Sequence, residues 1–530
     1  MSIFALAATT VLSACGSASH DRLGVAPATS RPGPESIFEP KEPLFSDPAG
    51  TLDLMRRLGV DRVKVFVPWN VLAPAASSRV RPHFNASDPA AYPAGVWTIY
   101  DTIVRDAAAR GISLYVAVGG LAPLWAAGPH PAPRGPYGGA QWEPSAADFG
   151  QFVRAVGTRY SGHYTPPGAS SPLPRVSFWS IWNEPNLGSA DLAPQAIDNS
   201  TVEVAPALYR GLLDAGWSAL HATGHGGDTI LIGELAPYGQ NGGNSPGNYG
   251  EMVPLRFARA LYCVGATDAP LQGAAATARG CPPSAAASKR FAADHPALFQ
   301  ASGFAVHPYP SGAVPPNVVL PDGPQFVNLA SLFRLQHLLD TVTTLYGSSK
   351  RFPFYNTEYG YFTDPPYQLG ASLNAAAADL NHAEYLSWLN PRIQSYDQYL
   401  LMDPPASSGS NFVTGLEFSN GTPKPTYAAW RMPIFLPVTQ ARSGQSLQVW
   451  GCVRPAHYVQ TGTGRPQRVQ IQLRPGAGGP FRTVGGVTIT NVHGYFDVNL
   501  RFPSSGTVRL AWSYPHGPTI FSRSVQISIA

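Results

Sequence analysis

The chain has 530 residues, 44% of them apolar and only 13% charged, with 53 Gly and 54 Pro. That length and apolar content suit one large domain plus a smaller one, while the charge content is about half the ~25% of ordinary soluble domains. A net charge of +4 with no Lys/Arg run leaves no electrostatic footprint for nucleic acid, and no such partner is expected.

The first fifteen residues read as an export signal. Phe4 to Leu12 is apolar and ends in Leu12-Ser13-Ala14-Cys15, followed by Gly16-Ser17. This resembles a bacterial lipobox, in which Cys15 is lipidated and becomes the first mature residue; an ordinary signal peptide ending in small residues is the alternative. Residues 16–35 are polar and rich in Pro and Gly, the composition of a flexible tether. No later segment has ~18 consecutive apolar residues. The expected location is therefore extracellular or at the cell surface, with membrane contact only through the lipid.

From residue 36 to 437, short apolar runs alternate with helical patterns, the signature of βαβ units. Eight strands are expected, beginning with Ser36 to Glu39. The others are Val63 to Val67, Ile112 to Val118, Val176 to Trp182, Ile230 to Gly233, Gly303 to His307, Phe352 to Thr357 and Ile393 to Leu401. Between the first two, Asp47-Pro48 gives a helix start, Leu54 and Leu58 share a face, and Gly59 sits where a left-handed cap belongs. Phe149, Phe152, Val153, Val156 and Tyr160 form a helical stripe, and Gly111 ends the helix carrying Ile99, Ile103 and Val104. Eight such units predict an α/β fold, a (β/α)8 barrel. After Pro437 the texture becomes alternating short stretches without helical spacing, such as Arg468 to Leu473 and Val508 to Trp512. Residues 438–530 are therefore expected to form an immunoglobulin-like β-sandwich.

Of four cysteines, Cys15 belongs to the lipobox. Cys263 and Cys281 share one Ala/Gly/Pro-rich loop and are expected to pair in an exported chain, and Cys452 is expected as a buried free thiol. No C-x-x-C pair, H-x-H or H-E-x-x-H occurs, so neither a metal nor a cofactor is expected.

A barrel of this kind carries its site at the C-terminal ends of its strands. Strand four ends in Trp182-Asn183-Glu184-Pro185-Asn186 and strand seven in Thr357-Glu358-Tyr359-Gly360. A lone Glu after a strand is usually a helix cap or a solvated rim residue. Two that face each other across a barrel mouth meet the requirement for retaining glycoside hydrolysis: carboxyls ~5–5.5 Å apart, one protonated and one ionised.

These motifs resemble the clan A glycoside hydrolases, the 4/7 barrel superfamily, with families 5 and 39 closest in look. The resemblance spans roughly residues 36–437. It implies that Glu184 is the acid/base, Glu358 the nucleophile, and that Asn183 hydrogen-bonds the substrate 2-hydroxyl. His307-Pro308-Tyr309 looks like the family's sixth strand, where Tyr or His reaches the nucleophile. Two departures stand out. Lys64, with Arg62 two residues earlier, occupies the place of a strand-two Arg that steadies the nucleophile, and Tyr396 and Tyr399 stand near the position of a strand-eight Trp platform.

Trp69, Trp125 and Trp182 are candidates to stack on sugar, or else packing residues. Glu234 ends strand five as a substrate contact or a rim ion pair, and Asp403 reads as a loop cap. Long loops at 121–146 and 235–300 are expected to shape the cleft. The expected activity is hydrolysis of β-linked O-glycosidic bonds in a poly- or oligosaccharide by a monomer. A transglycosylase of the same fold and a non-catalytic surface carbohydrate-binding protein are the alternatives; a binder would need neither Glu nor Asn183.

Overall fold

Eight short parallel strands close on one another in a computed structural model of the chain, which describes residues 25–27, 32–129, 137–240, 244–410, 412–476 and 478–530. They are β1 (Glu35–Glu39), β2 (Arg62–Pro68), β3 (Ser113–Gly119), β4 (Phe178–Ile181), β5 (Thr229–Leu235), β6 (Gly303–Val306), β7 (Phe354–Asn356) and β8 (Ile393–Tyr399). Each pairs with the next, and β8 pairs with β1 to close the barrel. All eight lie where alternation of apolar runs and turns places them. Helices follow the strands in order: α1 (Pro48–Leu58), α2 (Thr98–Arg110), α3 (Ala146–Arg159), α4 (Ala205–Ala222), α5 (Pro254–Leu261), α6 (Leu332–Leu345), α7 (Leu373–Leu389) and α8 (Pro425–Arg431). The lipobox and Cys15 lie outside the described residues.

The local signals act as their chemistry requires. The Asp47 side chain accepts from Gly50 N at the start of α1, and Gly59 closes the helix with φ 77°. A Cβ on Gly59 would also come within 2.2 Å of the Arg454 backbone, so this position needs glycine twice over. The buried face of α1 is Leu52, Met55 and Leu58, with Leu54 at its edge. In α3 the expected stripe of Phe149, Phe152, Val153 and Val156 is buried against the strands. The barrel's lower bore is filled by Ile37, Tyr115, Ala117, Phe178, Leu231 and Ala305, a packed floor beneath the polar residues at the strand ends. Cys263 and Cys281 form a disulfide in the β5–β6 connection, and Cys452 is a buried free thiol.

C-terminal to the barrel, the described residues form two sheets. The smaller contains β9 (Ile434–Phe435), β11 (Ser446–Cys452) and β14 (Tyr495–Arg501). The larger contains β10 (Gln440–Ala441), β12 (Gln467–Pro475), β13 (Arg482–Ile489), β15 (Gly506–Ser513), β16 (Thr519–Phe521) and β17 (Val525–Ile529). Both contribute to one apolar core, with Val449 and Phe496 meeting Ile471, Val487 and Leu510. Two expectations change here. A helix, α9 (Arg454–Thr463), interrupts a region expected to lack helical spacing, started by Pro455 in its first turn. Val25–Pro27 pairs with β13, so the expected tether is not free along its whole length.

The two parts are tied through charged groups. Arg454 meets Glu384 of α7 at 2.5 Å, both nearly fully buried, and Tyr495 donates to the same carboxylate at 2.8 Å. Asp61, just before β2, lies 3.2 Å from His457 and 3.1 Å from His493.

Candidate active site

At the end of β4 the backbone turns sharply: Trp182 has φ 72° and Glu184 φ 33°, and Glu234 at the end of β5 has φ 48°. Left-handed backbone at three non-glycine residues stores strain that the surroundings must hold. They do so by direct bonds. Glu184 N donates to Glu234 O at 3.0 Å. Buried Asn186 joins the ends of β4 and β5 through Ala236 N, Ala236 O and Met252 O. The turn aims Glu184 into the barrel mouth, where β7 delivers Glu358.

Oxygens of Glu184 and Glu358 and a ring nitrogen of His307 all lie within 4.8 Å of one another. Lys64 Nζ donates to Glu358 Oε1 at 2.9 Å, and Tyr309 OH to Oε2 at 3.2 Å. His307 bridges two carboxylates, with Nδ1 2.8 Å from Glu184 Oε1 and Nε2 2.7 Å from Glu234 Oε2. Glu234 is fully buried and also accepts from Thr357 and from Tyr115. Glu39, at the end of β1, lies 3.2 Å from Lys64 and 3.0 Å from Lys41. The side chains of Glu184 and Glu358 retain 18% and 10% exposure, while Lys64, His307 and Glu234 retain 1% or less. Two carboxylates therefore face incoming solute and the other charges stand behind them.

The surroundings push those two carboxyls apart. Burial raises Glu184 above the ordinary carboxylate value, offset only in part by His307, with the charge of Glu358 adding to the rise. Burial also opposes ionisation of Glu358, but His307, Lys64 and Lys41 outweigh it and hold this carboxyl below its ordinary value. Glu234 is held at about 2, burial again being overcome by Lys64 and His307. His307 rises to about 10: burial favours the neutral ring, and the carboxylates of Glu358, Glu184 and Glu234 overcome it. A doubly protonated His307 donates from both nitrogens, so the proton of Glu184 belongs on Oε2. The Glu184–His307–Glu358 cluster reads as an ion-pair network.

The other expected residues separate into two groups. Asn183, half-buried, lies beside the pair with its amide 3.4 Å from Asp191. Burial, then the charge of Glu184, raise the Asp191 carboxyl well above its ordinary value. Tyr309 and Tyr399 stand at the mouth, with Lys41 5.2 Å over the Tyr399 ring. Lys64 sits beneath Glu358, 1% exposed, where it supports the carboxylate rather than meeting solute, as the place of the strand-two Arg implies.

Trp69 and Trp125 do not serve as platforms. Trp69 is 1% exposed and packs on Phe149, Phe152 and Trp125. Trp125 is bonded to Pro74 O with Arg81 over its ring. Trp182 packs on Phe149 and Tyr396 on Trp430. Arg62 pairs with Glu35 at the opposite end of the barrel, and Asp403 holds Lys424 and Gly415 N as a loop clamp. Glu39, Lys41 and Asp191 lacked a readable signal. Glu39 does end β1 and Lys41 follows it closely, as site residues lie at the end of a barrel strand.

No family model and no curated protein matches the chain. Among solved structures, it is similar to a glucosidase from Croceicoccus marinus at 12% identity, covering 91% of this chain and 95% of that one, TM-score 0.47. It is also similar to a family 39 glycoside hydrolase from Bacteroides cellulosilyticus WH2 at 14% identity, covering 90% and 81%, TM-score 0.44. A GH30 endoxylanase from Clostridium papyrosolvens C71 matches at 10% identity over 90% and 96%, TM-score 0.44. Likeness this loose adds nothing to what the site geometry carries.

Proposed function

We propose that this chain is a retaining glycoside hydrolase acting on β-linked O-glycosidic bonds of a poly- or oligosaccharide. The observation that carries the reading is the accessible pair Glu184 and Glu358, whose nearest oxygens lie within 4.8 Å and whose surroundings drive their proton affinities in opposite directions. Oxygens this close support the ~5–5.5 Å separation of retaining pairs over the ~6.5–9.5 Å of inverting ones.

In the first step Glu358 attacks the anomeric carbon, and Glu184 gives its proton to the departing oxygen. Lys64 and Tyr309 aim the carboxylate, and Asn183 is placed to meet the sugar beside Glu184. Once the glycosyl ester forms, the charge on Glu358 is gone and the affinity of Glu184 for a proton falls. Glu184 then takes a proton from water, whose oxygen displaces Glu358. Activity should follow a bell in pH, its acid edge set by Glu358 and its alkaline edge by Glu184 as a coupled pair.

Glu358→Ala should abolish turnover. Glu184→Ala should keep activity on aryl glycosides with good leaving groups and be rescued by azide, giving a glycosyl azide of retained configuration. An inverted first-formed sugar from the wild-type protein, read by NMR, refutes the assignment. We further propose that the chain is exported, anchored through Cys15 and monomeric. An unlipidated mature N-terminus, seen by mass spectrometry, would overturn the anchor. The C-terminal sheets, packed on one core, support an immunoglobulin-like accessory sandwich over 438–530 that does no chemistry.

A further inference from the structure

Residues 438–530 contain nine arginines, no lysine, no glutamate and one aspartate, leaving 27 of the 36 Lys and Arg but 31 of the 32 Asp and Glu to the rest of the chain. A modest net charge thus hides a division into an acidic barrel and a basic C-terminal region. The single acidic side chain there, Asp497, lies in the smaller sheet and is held by the Gln448 amide.

Part of this charge is used structurally: Arg454 pairs with Glu384 and Arg523 bonds Asn381. The outer face of the larger sheet is different. Along β12, Val469, Ile471 and Leu473 point into the core, so Arg468, Gln470, Gln472 and Arg474 alternate outward. Arg468, Gln470 and Gln472, with Arg509 of β15, line a trough of about 580 Å³, while Arg474 packs on Phe481, one of its lining rings. Its floor includes Ala511, and Phe481 and Phe521 stand at its sides. Arg509 lies 3.8 Å from the centre of each ring, and Arg474 lies 5.0 Å from that of Phe481. Two guanidiniums thus share one ring, and among the described residues no Asp or Glu lines the trough. Arg474 Nε is buried without a hydrogen-bond partner. Gly486 lets Arg468 lie across β13, since a Cβ there would come within 3.1 Å of Arg468 Nε.

We propose that this trough is a second, non-catalytic binding site for an acidic polysaccharide, with Arg468 and Arg509 taking its carboxylate or sulfate groups and Arg474 adding positive charge behind Phe481. Arginine offers a planar fork to such anions. The Gln470 and Gln472 amides suit sugar hydroxyls, and Phe521, 36% exposed, adds apolar surface beside them. The rings are stacked with guanidiniums rather than protruding, which disfavours a lipid surface. Arginines packed in one concavity rather than strung along a ridge disfavour duplex DNA. The site is independent of the barrel's chemistry and stands even if the barrel hydrolyses nothing.

The test is binding of the full chain to polygalacturonate, heparin, a neutral glucan and duplex DNA at low and physiological salt. Both acidic glycans should bind, the neutral glucan should not, and added salt should weaken binding. Arg468→Gln/Arg509→Gln should weaken it about tenfold or more, and Phe481→Ala, which leaves the charge unchanged, should weaken it too. Arg442→Gln/Arg501→Gln, outside the trough, should bind as the parent does. Thermal melting of each variant checks folding, and hydrolysis of a small aryl glycoside, tested in parallel, reports on the barrel alone. No binding to either acidic glycan overturns the proposal. So does binding to DNA at least as tight, or equal weakening by the two arginine pairs.

Discussion

Replacing Glu234 with glutamine tests whether the network behind the two carboxylates matters to them. Glutamine keeps the shape, and its amide oxygen can still accept from His307 Nε2 and Thr357, while the charge is lost. Raising His307 from 6.5 to about 10 corresponds to ~5 kcal/mol, distributed over Glu358, Glu184 and Glu234. The charged 2.7 Å hydrogen bond to Glu234 accounts for ~1–2 kcal/mol of this, about a tenfold change in proton affinity. His307 then loses its proton at lower pH, and a neutral ring no longer supports the Glu358 carboxylate. Beyond the alkaline edge that Glu184 sets, the further loss of kcat/KM that accompanies His307 deprotonation should begin about one pH unit lower in the variant, while substrate KM changes little.

Stability gives a second readout with a definite sign. The folded protein raises the pKa of His307, so its contribution is full below ~6.5 and fades as pH rises toward ~10. Glu234 is depressed, so its contribution is present above ~4.5 and is lost as pH falls through ~2. The melting-temperature difference between parent and variant should therefore be greatest between about pH 5 and 7 and shrink on both sides. An unchanged activity profile together with a pH-independent melting difference would show that Glu234 is only a filler of space.

Lys64→Met removes the cation 2.9 Å from Glu358. The acid edge of the activity profile should move up in pH, with kcat falling far more than KM rises; an unmoved acid edge argues against an electrostatic role for Lys64. Arg454→Met leaves Glu384 buried without its ion partner and should destabilise the folded chain by about 3–5 kcal/mol. Chemical denaturation measures this, and Arg454→Met/Glu384→Gln should recover much of the loss. A single variant as stable as the parent would mean the tie between barrel and C-terminal sheets contributes nothing.

Much of the molecule was legible before any coordinates. The eight strands could be read because parallel strands buried on both faces are continuous apolar runs, separated here by Gly, Pro and helical stripes. Glu184 and Glu358 could be read because each directly follows such a run, and a barrel brings strand ends to one rim. Other features had no local signature. Trp69 sits at a strand end, as a platform would, yet the following turn of helix, Trp69–Leu72, directs it into the shell around the barrel. Helix α9 has no stripe strong enough to read against the strands around it, and packing on the barrel supports it through Arg454 and Tyr458. Local pattern determined the strands, their order and the two carboxylates. Only the closed barrel decided which charges meet, because Glu39, Lys64, Glu234, His307 and Glu358 come from five strands far apart in sequence. Their proton affinities depend on distances of ~3 Å and on exclusion of water, neither of which is a property of any one segment.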